Sequence, residues 1–287
     1  MSDRGGFSPM RPEELRELGE LLYDHCGIRL QAELSYVFER RLQPRLQLLA
    51  LPSFGAYARY LRHHPEGSAE LEAAVELLTT NETYFFREPN QLRAFSDELL
   101  PSLSQERAAE RRLRIWSAGC STGEECYTIA ILLLRSGLFG GWQTEVFGSD
   151  ISRRVIASAR RAEYSASALR ATDDELRRIY FETRGARFAP REEVRALVSF
   201  GRQNLLEAPG LRGVGQMDVI FCRNVMIYFD LAARRRVLES FLELLAPGGY
   251  LLLGHSESLI NVTADFELVH LRNDVVYRKP ARGKASP

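Results

Sequence analysis

The chain has 287 residues, 45% of them hydrophobic, which suffices for two domains with full hydrophobic cores. Its 38 basic and 38 acidic side chains give a formal net charge of zero, which excludes a global basic footprint for nucleic acid. The four cysteines are widely spaced, so we expect free thiols in a reducing compartment and no metal site. A zinc site that combines them with His255 or His270 is the less favoured alternative.

No apolar run approaches the ~18 residues that a membrane-spanning helix needs. The first ten residues, MSDRGGFSPM, also lack the apolar core of a signal peptide. We therefore expect a cytoplasmic protein. Because nothing in the pattern indicates an obligate oligomer, we expect a monomer.

Residues 1–78 predict an all-helical N-terminal domain. Apolar residues recur at helical spacing in four stretches, near residues 15–22, 36–49, 54–61 and 71–78. Pro44 lies inside the second stretch and predicts a kink or a break there.

The same domain carries a local excess of positive charge. Between residues 40 and 65 there is no acidic residue. The arginines of this basic face are Arg40, Arg41, Arg45, Arg59 and Arg62. Two interpretations stay open: a solvated helix surface, or a docking surface for an acidic partner.

The polar stretch 79–83 ends the helical pattern and predicts a domain boundary. Aromatic residues follow at 84–86, as a linker that docks onto the second domain would have. Such a linker would not need the polar set Asn81, Thr83 and Arg87, whose side chains could point together into a pocket. We therefore predict that the linker, residues 79–90, contributes to a cofactor site.

Residues 113–137 predict a buried strand, a glycine loop and an apolar helix in succession. Gly119 and Gly123 bracket the loop, and Gly137 ends the helix. Strand, glycine loop and helix form the opening unit of nucleotide-binding α/β domains. In that unit a ligand approaches bare backbone at the helix N-terminus.

Two carboxylates in this helix narrow the choice of ligand. Glu124 and Glu125 occupy the first helical turn, where they would repel a phosphate and attract a cation. S-adenosylmethionine (SAM) has a positive sulfur, an amino group and no phosphate, and therefore suits this loop. The alternative is that both carboxylates only complement the helix dipole.

Polar residues follow the other predicted strands. Asp150 ends the strand 146–150, where Rossmann-like sites bind ribose hydroxyls, and an N-cap role for the helix 152–161 is compatible with that. Arg223 and Asn224 follow the strand 217–222, and His255 follows the strand 250–254. Active groups of open α/β sheets gather at such strand ends.

We therefore predict a Rossmann-like α/β domain over residues 91–280. Short, partly alternating runs from 184 to 200 predict a small antiparallel β insertion, at about 183–203, rather than another β-α-β turn. The stretches 266–271 and 275–279 predict a closing β-hairpin.

Six stretches together resemble the chemotaxis receptor methyltransferase (CheR) family, and they run in family order from Thr79 to Leu259. They are TTNETYFFRE, RIWSAGCSTGEE, FGSDIS, QNLL, DVIFCRNVMIYFD and APGGYLLLGHSESL. The resemblance implies a SAM-dependent protein-glutamate O-methyltransferase with a Rossmann-like methyltransferase sheet. Its product would be S-adenosylhomocysteine (SAH), and its substrates would be glutamate side chains of chemoreceptors.

The resemblance also assigns residues. It implies SAM contacts from Asn81, Thr83, Arg87, Glu124 or Glu125, Asp150, Asn204, Leu205, Cys222 and Arg223. Arg223 and Tyr228 would lie at the methyl-accepting side. The basic face would meet the methylation region of the receptor. The loop around Arg184–Arg187 is short and has one glycine, so we expect a member that does not depend on a C-terminal receptor tether.

Other functions are less favoured. A nicotinamide-dependent dehydrogenase shares the strand-loop-helix unit, but Glu124, Glu125 and the missing G-x-G-x-x-G pattern argue against it. Zero net charge disfavours an RNA methyltransferase. A non-catalytic SAM-sensing module would be expected to lack Arg223 and Tyr228, which are present.

Overall fold

A computed structural model describes residues 9–30, 33, 35–79, 81–207 and 212–281. They divide into two compact units. The first consists of the described residues up to 79 together with Tyr228–Ala233. The second consists of Asn81–Ile227 and the described residues from Arg234 onward. No helix in the described ranges is both long and apolar enough to cross a membrane.

The first unit contains the four predicted helices: α1 (Pro12–Cys26), α2 (Ser35–Leu48), α3 (Phe54–His63) and α4 (Gly67–Leu78). The predicted break at Pro44 is wrong, because α2 continues through this residue. Proline removes one helical hydrogen bond, but Leu42 and Leu46 on either side of it are fully buried. Their packing outweighs the loss.

Two residues of the basic face have partners within this unit. Arg45 forms an ion pair with the buried carboxylate of Glu70, which also accepts a 2.7 Å hydrogen bond from the hydroxyl of Tyr57. Arg41 donates a 2.8 Å hydrogen bond to the carbonyl oxygen of Leu78. The other members of the face, Arg40, Arg59 and Arg62, are exposed.

The second unit is built on a seven-stranded sheet of order β5-β2-β1-β6-β7-β9-β8. Its strands are β1 (Arg112–Ala118), β2 (Gln143–Asp150), β5 (Val198–Arg202), β6 (Met217–Cys222), β7 (Leu245–Leu253), β8 (Glu267–His270) and β9 (Val275–Arg278). The first five strands in the sheet order are parallel, and the closing hairpin β8–β9 is antiparallel, as predicted.

Helices precede and connect these strands. They are α5 (Pro89–Ala94), a π-helical turn (Phe95–Leu99), α6 (Leu100–Glu106), α7 (Glu124–Ser136), α8 (Arg153–Arg161), α9 (Asp174–Tyr180), α10 (Glu192–Arg195) and α11 (Leu231–Leu244). The chain runs from β1 outward to β2 and β5, then returns to place β6 on the other side of β1. This reversal is the switch point at which open α/β sheets form a ligand crevice.

The predicted antiparallel insertion exists but is shorter than expected. It is the two-stranded sheet of β3 (Phe181–Arg184) and β4 (Arg187–Pro190). The residues of β5, which we had included in the insertion, instead pair in parallel with β2, with Val198 opposite Val146. A short alternating run is compatible with either pairing, and the edge position beside β2 decides it.

Candidate active site

The polar residues predicted at strand ends meet at one edge of the sheet. Because β1, β2, β5, β6 and β7 are parallel, their C-terminal ends share this edge. We call it the strand-end site. It comprises the loop after β1, Asp150 after β2, and Arg223 after β6.

The glycine loop turns sharply between β1 and α7. Gly119 and Gly123 have φ angles of 82° and 95°, in the left-handed region that favours glycine. The amides of Gly119 and Cys120 both donate 2.8 Å hydrogen bonds to the carbonyl oxygen of Ser149 in β2. The loop is therefore fastened to the neighbouring strand end.

Main-chain amides orient the carboxylate of Asp150. Its Oδ2 accepts a 2.9 Å hydrogen bond from the amide of Ser121, and its Oδ1 accepts one of 3.0 Å from the amide of Ser152. The N-cap of α8 is Ser152, whose hydroxyl accepts from Val155, so the N-cap interpretation of Asp150 is wrong. Asp150 instead joins the loop to the end of β2.

The two glutamates at the start of α7 have different environments. Glu124 is 4% exposed and accepts a 2.7 Å hydrogen bond from the hydroxyl of Thr122. Burial raises the pKa of its carboxyl. Glu125 accepts a 2.8 Å hydrogen bond from the hydroxyl of Ser117 and one of 3.1 Å from Arg223. Of the pair, Glu125 therefore belongs to the ionic cluster at the strand ends.

Arg223 is the centre of that cluster. Its side chain is only 3% exposed, and each nitrogen of its guanidinium has a partner. Nη1 donates to Glu125 at 3.1 Å, while Nη2 donates to the carbonyl oxygen of Arg87 at 2.6 Å and lies 3.1 Å from Oε2 of Glu88. Nε also donates to Glu88, at 3.4 Å. A buried guanidinium needs this pairing, because an unpaired buried charge is strongly destabilising.

Glu88 links the cluster to two strand ends. Its Oε1 accepts a 3.4 Å hydrogen bond from the side-chain amide of Asn224 and lies 3.2 Å from Nδ1 of His255. Burial alone would raise the pKa of the Glu88 carboxyl, but its contacts with Arg223 and His255 outweigh burial and hold the pKa below its usual value.

Glu257 holds the turn that follows β6. It accepts hydrogen bonds from the amides of Asn224 at 2.8 Å, Gly254 at 2.7 Å and Ile227 at 3.3 Å. Asn224 has a φ of 60°, a conformation that asparagine tolerates better than most residues. Glu257 thereby joins the end of β6 to the end of β7.

The linker residues approach the strand ends mainly through their backbone. The carbonyl oxygen of Asn81 accepts a 3.3 Å hydrogen bond from the hydroxyl of Ser121. The guanidinium of Arg87 donates to the carbonyl oxygen of Glu82, so only its own carbonyl oxygen joins the cluster. Thr83 is half-buried.

The remaining predicted site residues differ in how deeply they are buried. The amide of Gln203 donates to the carbonyl oxygen of Asp150 at 3.0 Å, which brings the buried residues Asn204 and Leu205 next to the end of β2. Cys222 is fully buried. Tyr228 ends the 3₁₀ turn Met226–Tyr228, belongs to the first unit and is 39% exposed.

Sequence reasoning missed Glu88, and it gave the strand-end residues Asn224 and Glu257 no specific contact. All three lie inside the stretches that carry the family resemblance, which was the available signal. Their contacts cross up to 136 positions of sequence, so residue type and spacing alone could not reveal them.

Comparison with known proteins agrees with this geometry. The CheR methyltransferase SAM binding domain matches residues 81–275, and the CheR methyltransferase all-alpha domain matches residues 13–79. Chemotaxis protein methyltransferase 2 of Vibrio cholerae is 37% identical over 273 residues, which cover 93% of this chain and 92% of that protein. Chemotaxis protein methyltransferase 2 of Pseudomonas aeruginosa is 39% identical over 259 residues, 88% of each chain.

The fold, the strand-end site and the matched SAM-binding domain define a Rossmann-like, SAM-dependent methyltransferase with an N-terminal all-helical domain. The site suits this cofactor, because it contains two carboxylates, those of Glu125 and Asp150, a group type that can pair with a cation or accept hydrogen bonds from ribose hydroxyls. The chain belongs to the CheR methyltransferase family.

Proposed function

We propose that this protein methylates glutamate side chains of chemoreceptors and forms glutamate 5-methyl esters. The observation that carries the proposal is the buried guanidinium of Arg223 at the strand ends, next to the carboxylates of Glu125 and Glu88. These contacts, with that to the carbonyl oxygen of Arg87, use four of the five N–H groups of the guanidinium, so the second N–H of Nη1 can donate to a carboxylate acceptor. The curated relatives bear the name chemotaxis protein methyltransferase, which supports a chemoreceptor as substrate.

The chemistry requires positioning more than activation. A glutamate carboxyl has a pKa near 4.3 and is therefore already an ionised nucleophile at neutral pH, so no general base is needed. Bound SAM supplies the electrophilic methyl group. Arg223 and Tyr228 would align the acceptor carboxylate, and alignment can contribute roughly 7–11 kcal/mol.

We further propose which residues hold the cofactor. Asp150 would bind the ribose hydroxyls, because two main-chain amides already fix its carboxylate. Glu125 would be the contact rather than Glu124, whose carboxyl is buried beside Thr122. By resemblance, the other contacts are Asn81, Thr83, Arg87, Asn204, Leu205, Cys222 and Arg223. Cys222 would take part through its backbone.

Transfer of a labelled methyl group tests the reaction. Label from methyl-labelled SAM should enter a cytoplasmic receptor fragment as a base-labile ester, and a fragment with glutamines at the methylation sites should remain unlabelled. Arg223→Ala should lower turnover by about 100-fold. Base-stable label, or an unchanged rate in Arg223→Ala, would overturn the proposal.

Calorimetric titration with SAH tests the cofactor contacts without any acceptor. Asp150→Ala and Glu125→Gln should each weaken SAH binding by about 10-fold or more, as expected for loss of a charge-assisted hydrogen bond. Glu124→Gln is the matched control and should bind SAH like the wild type. Equal weakening by both glutamine variants would contradict our choice of Glu125.

We also propose that the protein recognises receptors without a C-terminal tether. Its β3–β4 hairpin turns through only Gly185 and Ala186, a short connection for gripping a peptide. A free peptide with the receptor C-terminal sequence should not bind the protein in a titration. Its addition should not slow methylation of the receptor fragment. Binding of that peptide would refute this part of the proposal. We propose in addition that the protein is a monomer and that it docks on the receptor through the exposed arginines of the basic face.

A further inference from the structure

We infer that Glu88 is a positioning residue that holds Arg223 in the orientation needed for methyl transfer. The inference rests on the proposed function, because it concerns the arginine that would align the acceptor carboxylate. Glu88 is not among the cofactor or acceptor contacts that the family resemblance assigned.

The guanidinium of Arg223 contacts Glu88 and Glu125 through different nitrogens. Nε and Nη2 form one edge, and both meet Oε2 of Glu88, at 3.4 and 3.1 Å. Nη1 points the other way, to Glu125. Since Glu125 is also the proposed cofactor contact, Glu88 is the counter-charge that stays with Arg223 whatever Glu125 binds.

The backbone around Glu88 has an uncommon conformation. Phe86 and Glu88 both have φ angles of 59°, in the left-handed region that residues other than glycine rarely adopt. Strained conformations of this kind persist where the surrounding structure over-determines them, and they cluster at functional sites. Here the strained segment also places the carbonyl oxygen of Arg87 on Nη2 of Arg223, at 2.6 Å.

The carboxylate of Glu88 is itself held in place by neighbouring side chains. Its other oxygen meets the side chains of Asn224 and His255, which follow β6 and β7. Asn224 is in turn held by Glu257. A rotation of Glu88 would break contacts with both strand ends, so its carboxylate is a rigid support for Arg223.

The kinetic consequence should fall on turnover. Without Glu88 the guanidinium keeps its charge but loses its fixed edge, and a displacement of about 1 Å can cost about 100-fold in rate. We expect Glu88→Ala to lower kcat by about 10- to 100-fold and to weaken SAH binding by a smaller factor, because Arg223 is also a proposed cofactor contact. Glu88→Gln keeps an oxygen for Nη2 and should restore part of the lost turnover.

A double-mutant cycle on receptor methylation is the decisive experiment. If Glu88 acts only through Arg223, the double variant Glu88→Ala/Arg223→Ala should be no slower than Arg223→Ala alone. Losses that multiply in the double variant would overturn the inference, and so would a wild-type kcat in Glu88→Ala.

Glu98 provides a matched control. Its carboxylate accepts hydrogen bonds from the main-chain amides of Arg272 at 2.9 Å and Asn273 at 3.2 Å, away from the cluster. Glu98→Ala should lower the unfolding midpoint but leave kcat unchanged. Equal losses of kcat in Glu98→Ala and Glu88→Ala would show that the effect of Glu88 is only structural.

Urea unfolding of the four proteins of the cycle separates this inference from the proposed function. They are the wild type, Glu88→Ala, Arg223→Ala and the double variant. Removing either Glu88 or Arg223 leaves a partly buried charge without its partner, so the changes in unfolding free energy should be non-additive. A wild type that transfers no label would refute the proposed function alone. Additive unfolding energies would refute the hold of Glu88 on Arg223.

Discussion

The two carboxyls in the first turn of α7 differ in burial, because Glu124 is buried and Glu125 is half-buried. The side chain of Glu124 is 4% exposed, and burial raises its pKa even though Thr122 donates a hydrogen bond to it. A raised pKa in the folded state means that folding opposes ionisation. Stability from this group is therefore fully present below the pKa of the unfolded chain, about 4.3, and is lost as pH rises through the folded pKa.

Glu124→Gln should consequently stabilise the protein at neutral pH. The amide is neutral in both states, and its oxygen can still accept from Thr122. We expect a higher midpoint of thermal unfolding than wild type at pH 7, and a difference that disappears near pH 4. Scanning calorimetry across this range measures it. Glu125→Gln, which removes a partner of Arg223, should not show this gain, and a gain that grew at acidic pH would contradict the assignment.

Among the elements, β2 and α7 depend on a close approach at Gly148. A Cβ atom there would lie 2.5 Å from Sγ of Cys126 in α7 and 2.7 Å from the ring of Phe200 in β5. Neither neighbour can withdraw freely, because Cys126 is fully buried and Phe200 packs against the core. The glycine is thus required by packing rather than by its backbone conformation.

Gly148→Ala should lower the free energy of unfolding by about 1–3 kcal/mol, the usual cost of overpacking a core. Gly140→Ala is the control, because a Cβ atom there meets nothing within 4 Å and should change stability by less than about 1 kcal/mol. Urea denaturation of both variants measures the two costs. Equal stabilities would mean that the core can relax around the added methyl group.

At the same scale, local pattern predicted most of the elements. The pattern of residues 113–137 correctly predicted β1, a glycine loop and α7, because the apolar periodicity changes across the loop that Gly119 and Gly123 bracket. The pattern was insufficient where a partner decides the structure. Residues 198–202 are compatible with either an antiparallel insertion or a parallel edge strand, and α2 continues through Pro44, whose neighbours Leu42 and Leu46 are fully buried.

The site shows the same limit. The meeting of Asp150 and Arg223 at one edge of the sheet could be anticipated, because the C-terminal ends of parallel strands share an edge. The hold of Glu88 on Arg223 joins residues 135 positions apart, and no local pattern encodes it. Similarly, only three-dimensional packing distinguishes the buried Glu124 from its neighbour Glu125.

For the whole molecule, zero net charge conceals an uneven use of arginine. Many arginines bind main-chain carbonyl oxygens, as Arg236 binds that of Leu206 and Arg234 that of Met226. Within the basic face, Arg41 and Arg45 are used in the same structural way. Arg40, Arg59 and Arg62 are the exposed remainder of the face, and we propose that they attract an acidic receptor segment.

Reversing the charge of that exposed part should slow encounter with the receptor without affecting the cofactor. In a variant with Arg40→Glu, Arg59→Glu and Arg62→Glu, we expect kcat/KM for a receptor fragment to fall by about 10-fold at low salt. The deficit should shrink as added salt shortens the screening length to about 10 Å at 0.1 M. Affinity for SAH in a calorimetric titration should be unchanged.

Arg112→Glu is the control for charge alone, because Arg112 is exposed at the start of β1, at the opposite edge of the sheet from the strand-end site. It should reduce kcat/KM far less than the single reversal Arg59→Glu, which changes the net charge by the same amount. If both variants lose rate equally, attraction is a property of total charge. If neither loses rate, the basic face is a solvated helix surface, and the receptor is recognised through other residues.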